Sequence, residues 1–204
     1  MKRHILARAC LGFGLLVGLT GCTALYGIKE NTRVDEKTIV RYANQYNIPI
    51  ADGYELDTSY FAFLLSHDKT RYREQINNHY QPLQALYFDK SGQLQSFQVN
   101  CYAGGFPNLQ WDRNGIMTTF PPGKQAPIDS LAPLDVQLNY LKPLSQTIKL
   151  ARDQYDYIVV VYWNRFIGRQ SKRLIRFVQE NSKLETRKKV KIIYVNNDNL
   201  FAGK

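Results

Sequence analysis

Few residues in this chain of 204 are of types that do chemistry, and most of those stand alone. The cysteines, Cys10, Cys22 and Cys101, have no Cys-x-x-Cys spacing. His67-Asp68 and His79 could each donate to a metal, but two histidines without a third ligand at helical or strand spacing do not define a zinc site, so no metal is expected. No Ser-His-Asp order, glycine-rich phosphate loop or paired-carboxylate motif is present, and no cofactor is expected. One enzyme arrangement is conceivable: Cys101 near His79 in a thiol-dependent or hydrolytic site, which needs both side chains in one cleft. The densest cluster is cationic. Arg169, Lys172, Arg173 and Arg176 fall within about 100° of arc on a helix of about 100° per residue, opposite Leu174, Ile175 and Val178. Such a stripe is either a solvated outer face or a contact for an anionic surface, where each basic residue near anionic lipid adds about 1 kcal/mol.

The elements that would position this stripe can be read from periodicity. Tyr157-Ile-Val-Val-Val-Tyr-Trp163 is a continuous β-branched and aromatic run, as expected of a strand covered on both faces. A helix follows from Arg169 to Asn181, then a second strand at Val190-Lys-Ile-Ile-Tyr-Val195. Strand, helix and strand of these lengths make a crossover with parallel strands. At the first junction, Tyr162-Trp163-Asn164-Arg165-Phe166-Ile167-Gly168-Arg169-Gln170-Ser171 resembles the thioredoxin family's aromatic-Trp-x-x-Trp-Cys-Gly-Pro-Cys-Lys, with Trp163 and Gly168 matching. The resemblance puts Ile167 and Gln170 where the redox cysteines would be and Arg169 where the intervening proline would be. It therefore implies a degenerate thioredoxin-like α/β fold without the thiolate that the family activates at a helix N-terminus.

The start of the chain points to export. Lys2, Arg3 and Arg8 precede the apolar run Leu11 to Leu19, too short for a membrane-spanning helix, and Leu19-Thr20-Gly21-Cys22 follows. That order is a secretory signal, and Leu-Thr-Gly-Cys resembles the bacterial lipobox, in which the cysteine is lipidated and becomes the first mature residue. The resemblance implies a signal peptide over 1–21, a tether over 22–32 and a single α/β domain over 33–204. It also implies a membrane partner through acyl chains such as palmitate, which hold a protein durably only when several act together. Thr23 is not the aspartate that retains many such proteins at the inner membrane, so the outer membrane, with the domain in the periplasm, is favoured for a diderm host. With Cys10 lost and Cys22 lipidated, Cys101 is the one remaining thiol and no internal disulfide can form. In a strand-like stretch, Gln95 to Cys101, it is expected to be a small buried hydrophobe. Removing residues 1–21 takes three basic residues and no acid, so 27 Lys and Arg against 17 Asp and Glu become 24 against 17, a net +7. An exported basic protein has lipid headgroups, acidic polysaccharide or a protein partner within reach, and nucleic acid is not an expected partner.

Breakers organise the rest. Val34 to Tyr46 and Ser59 to Ser66 are expected helices, and Leu83 to Phe88 with Gln93 to Cys101 an antiparallel hairpin, turned at Gly92. Gly104 to Pro133 is expected to be an irregular loop that is functional or covers an edge, with Trp111 exposed on a turn or buried as its anchor. Asp135 to Leu150 is expected to be a helix interrupted, or started late, by Pro143. The segment Pro82 to Gly92 also resembles the thioredoxin hairpin after the family's cis-proline, yet it precedes the crossover. One arrangement that accommodates this is a rearranged thioredoxin-like sheet of about four strands, two parallel from the crossover and two antiparallel from the hairpin, flanked by helices. The expected function is a lipid-anchored envelope protein whose non-redox domain serves as a binding or accessory module for an envelope protein or anionic surface. A structural envelope-binding protein using the basic helix face is the alternative.

Overall fold

The computed structural model describes residues 28–145 and 150–203, so the leader, Cys10 and the expected lipidation site Cys22 lie outside the described residues. In chain order the regular elements are α1 (Glu36–Gln45), β1 (Gly53–Leu56), α2 (Tyr60–Leu65), α3 (Arg73–His79), β2 (Gln84–Asp89), β3 (Leu94–Val99), the one-turn α4 (Asn100–Ala103), α5 (Leu134–Leu138), β4 (Leu141–Pro143), β5 (Tyr157–Trp163), α6 (Gly168–Ser182), β6 (Val190–Asn196) and α7 (Asp198–Phe201). No described helix is long and apolar enough to cross a membrane.

The strands make one open mixed sheet in the order β3-β2-β5-β6-β1-β4. β5 and β6 run parallel from Tyr157↔Val190 to Trp163↔Asn196, as the crossover pattern predicts. The hairpin joins the same sheet: β2 lies antiparallel to β5, Gln84 opposite Tyr162 and Asp89 opposite Tyr157. Gly92 takes φ 82 in the turn, a conformation that disfavours any residue with a Cβ. The strand count expected from sequence, four, is corrected to six by β1, parallel to β6, and β4, antiparallel to β1 at the edge. Both are short. Pro143 is tolerated in β4 because an edge strand need not donate on both sides. Among the described residues, the expected helix from Asp135 to Leu150 is correspondingly reduced to α5, Leu134–Leu138.

Alternation along β5 feeds two cores. Val159, Val161 and Trp163 pack with Leu174, Ile175 and Val178 of α6 and Ile39 and Ala43 of α1. Ile158, Val160 and Tyr162 pack on the other face with Tyr60 and Leu64 of α2 and Ile76 of α3. Coverage on both faces explains why β5 has no polar alternation. The long loop covers the outer strand: Gln125 and Ala126 N–H both donate to Phe97 O at 3.0 Å, and Gln98 Nε2 donates to Gly123 O at 2.6 Å. Trp111 is fully buried beneath it, the second of the two expected placements.

Candidate functional site: a closed crevice beside a cationic cavity

The crossover delivers Trp163, Ile167, Gly168 and Gln170 to the carboxyl ends of β5 and β6, where open α/β sheets commonly bind ligands. A buried polar network fills this end. Asn164 N–H donates to Ser171 Oγ at 3.1 Å, Ser171 Oγ donates back to Asn164 O at 2.7 Å, and Asn164 Oδ1 accepts from Ile167 N at 3.1 Å, so the turn into α6 is tied at three points. Asn164 Nδ2 and Asn197 Nδ2 both donate to Pro82 O, at 3.1 and 2.9 Å, which joins the hairpin entry to the crossover. The cis peptides among the described residues are Phe106-Pro107 and Phe120-Pro121, so the bond before Pro82 is not one of them. Asp198 is buried beneath the turn, and burial raises its carboxyl above the usual range even as Asn196 Nδ2 and the Arg165 backbone N–H donate to it.

Trp163, Ile167, Gly168 and Gln170 stand together at this junction, but they enclose no open cleft. Gln170 is 2% exposed; its Oε1 accepts from Leu109 N at 3.2 Å and its Nε2 donates to Pro107 O, so the long loop lies on it. Ile167 pairs with Ile28 in an isolated antiparallel bridge. Trp163 is fully buried, with Tyr46 edge-on at 5.5 Å between ring centroids.

The four cationic residues do form one site. Arg169, Lys172, Arg173 and Arg176 line a cavity of about 380 Å³ between α6 and the end of α1, closed by Tyr46 and Asn47. Gln179 Nε2 fixes the far wall by donating to Asn47 O at 3.2 Å. Arg173 is half-buried and donates from Nη2 to Leu109 O at 3.2 Å; Arg176 Nε lies 3.8 Å from Glu180 Oε1 on the helix surface. Lys172 is exposed, and among the described residues it has no ion-pair or hydrogen-bond partner. The cavity therefore carries a surplus of positive charge. Burial, then the Asp198 charge, pushes the Tyr46 phenol far up, so it is a neutral wall with a hydroxyl. Sequence reasoning found the four cations by helical spacing but missed Tyr46 and Asn47, which lie far upstream and carry no local signal.

The nucleophile and metal candidates do not converge. Cys101 is exposed in α4 rather than buried in a strand, because the chain turns helical directly after Val99. Its Sγ lies 3.9 Å from Asn78 Oδ1, and partial desolvation raises its pKa, which disfavours the thiolate. His79 is engaged elsewhere, its Nε2 3.1 Å from Asp129 Oδ1 in a buried pair. His67 Nδ1, just past the end of α2, lies 3.0 Å from Phe63 O of that helix. Among the described residues no cluster of three His, Cys, Asp or Glu side chains could hold a metal.

No family model, curated protein or solved structure matches the chain. A cavity walled by guanidinium and ammonium groups, with a neutral hydroxyl and amides at its rim, suits a phosphate or carboxylate: arginine offers paired donors and lysine a mobile point charge.

Proposed function

We propose that the chain is a lipid-anchored protein of the cell envelope, held through Cys22, whose degenerate thioredoxin-like domain has no redox role and works as a binding module for an anionic ligand or surface. The contiguous run β3-β2-β5-β6, two antiparallel strands beside two parallel ones, supports the thioredoxin-like part of this reading, in a rearranged chain order. The filling of the two reactive positions by Ile167 and a buried Gln170 supports the absence of redox chemistry. The observation that carries the binding role is the gathering of Arg169, Lys172, Arg173 and Arg176 around one cavity. A Cys101 enzyme has no comparable support, since His79 is paired with Asp129.

The test is binding of an unlipidated Cys22→Ser protein to vesicles of equimolar phosphatidylglycerol and phosphatidylcholine at low salt. Binding should weaken with added salt, and Lys172→Glu with Arg176→Glu should weaken it by at least about 25-fold, from about 1 kcal/mol for each lost charge. Arg173 is left in place because it also holds Leu109. Vesicle binding that is absent in the unmodified protein, or unchanged in the double variant, contradicts the reading.

A further inference from the structure

The segment before α1 is bound to the body. Lys29 N–H donates to Phe166 O at 2.7 Å beside the Ile28–Ile167 bridge. Arg165 reaches out from the β5–α6 turn, its Nη2 donating to Glu30 O at 2.9 Å, Thr32 O at 3.1 Å and Thr32 Oγ1 at 2.7 Å. Asn199 closes the other end reciprocally: Val34 N–H donates to its Oδ1 and its Nδ2 donates to Val34 O, both at 2.9 Å. Asn31 Nδ2 adds a bond to Phe201 O at 2.6 Å. Residues 28–34 thus form a strap across the carboxyl ends of β5 and β6, and the described part of the expected tether does not stand away from the domain.

The strap also has a direction. From Val34 it runs back toward the first turn of α6 and the side of α1, where Lys29 Nζ donates to Tyr42 Oη at 2.6 Å. The Tyr42 ring lies 6.0 Å from that of Tyr46, which walls the cationic cavity. Ile28 bridges Ile167, which precedes by two residues the Arg169 of the cavity lining. Cys22 lies six positions earlier, a stretch that reaches at most about 20 Å even when fully extended.

We propose that the strap fixes the orientation of the anchored protein: it turns the cavity onto the bilayer that holds the Cys22 lipid, and the cavity takes the phosphate of an anionic phospholipid in that leaflet. This rests on the lipid-anchor reading above. A long flexible tether would let the domain tumble and average its faces against the membrane, whereas a short lead from a bound strap keeps one face at the surface. The anchored cavity then meets headgroups at a high effective concentration, so individually weak phosphate contacts suffice.

Lipidated protein carrying Cys101→Ser, with a fluorophore on either Gln45→Cys or Lys69→Cys, tests this after reconstitution in equimolar phosphatidylglycerol and phosphatidylcholine vesicles containing a nitroxide-lipid quencher. Gln45 is exposed at the end of α1 next to Tyr46; Lys69 is exposed between α2 and α3, on the opposite face of the sheet. Quenching should be severalfold stronger at 45 than at 69, and should weaken at 45 when phosphatidylcholine replaces phosphatidylglycerol. Releasing the strap with Arg165→Ala, or with Asn199→Ala where the first variant folds poorly, should bring the two positions together. Equal quenching at both positions in an anchored protein with an intact strap overturns the orientation. A protein that incorporates no labelled palmitate and does not float with the vesicles overturns the anchor reading instead.

Discussion

Gln170, which the proposed thioredoxin resemblance sets against a resolving thiol, is used up structurally, since both ends of its amide hold the backbone of the loop at Pro107 and Leu109. Thiol–disulfide exchange needs an attacking thiolate and a second thiol to resolve the mixed disulfide. Among the described residues Cys101 is the one cysteine, with its thiol pKa raised by desolvation. The unlipidated domain should therefore give no insulin reduction above background, with or without Cys101→Ser, and turnover lost with Cys101 would contradict this. Two other carboxylates set an acid limit on stability. Lys142 holds Asp57 below the usual range, helped by Ser59; at Asp129 burial pushes up, but the His79 hydrogen bond and charge outweigh it. A carboxyl lowered in the folded state contributes stability that is complete above its unfolded value of 3.8 and lost as pH falls through the folded value. Asp198 has the opposite sign, its raised carboxyl giving back stability as pH falls toward that value. Asp129→Asn should lose about 1–3 kcal/mol at neutral pH, and its denaturation midpoint should fall less steeply than that of the unaltered protein below about pH 4. Parallel pH profiles would show that the pair does not act as described.

The β5–α6–β6 unit was legible because its strands are continuous apolar runs and its helix has a clean stripe. The hairpin was legible from Gly92. The elements that were not legible lack such signals: β1 follows Pro49 and contains a glycine, β4 ends in Pro143, and α3 buries Ile76 as its one apolar side chain. These form because neighbours complete them, β1 against β6 and β4 against β1, which is tertiary context that no local pattern carries. Tertiary context also reverses the expected effect of a substitution at the start of α6. Alanine favours a helix over glycine by about 1 kcal/mol. At Gly168, however, an added Cβ would fall on Tyr46 Oη, far inside contact. Gly168→Ala should therefore destabilise the domain by about 1–3 kcal/mol in a denaturant titration, and Tyr46→Phe in the same chain should restore part of the loss. A stabilised Gly168→Ala would contradict this packing.

At the scale of the molecule, helical spacing revealed the cationic stripe but neither of the features that turn it into a site. The cavity needs the end of α1, and the strap needs Arg165 and Asn199, each more than a hundred residues from its partner in the strap. Such pairings leave no periodicity to read. The long loop likewise folds back over β3 and Gln170, shielding an edge that could otherwise pair with another chain. The strap meets α1 through Lys29 and Tyr42, and the Tyr42 ring neighbours Tyr46 of the cavity wall. The account thus depends on what happens at Cys22, and labelled-palmitate incorporation with membrane fractionation, compared between the unaltered protein and Cys22→Ser, measures it most directly. The account predicts a labelled, membrane-bound protein that becomes unlabelled and soluble or unprocessed on substitution. Label and membrane association that persist unchanged in Cys22→Ser would contradict it.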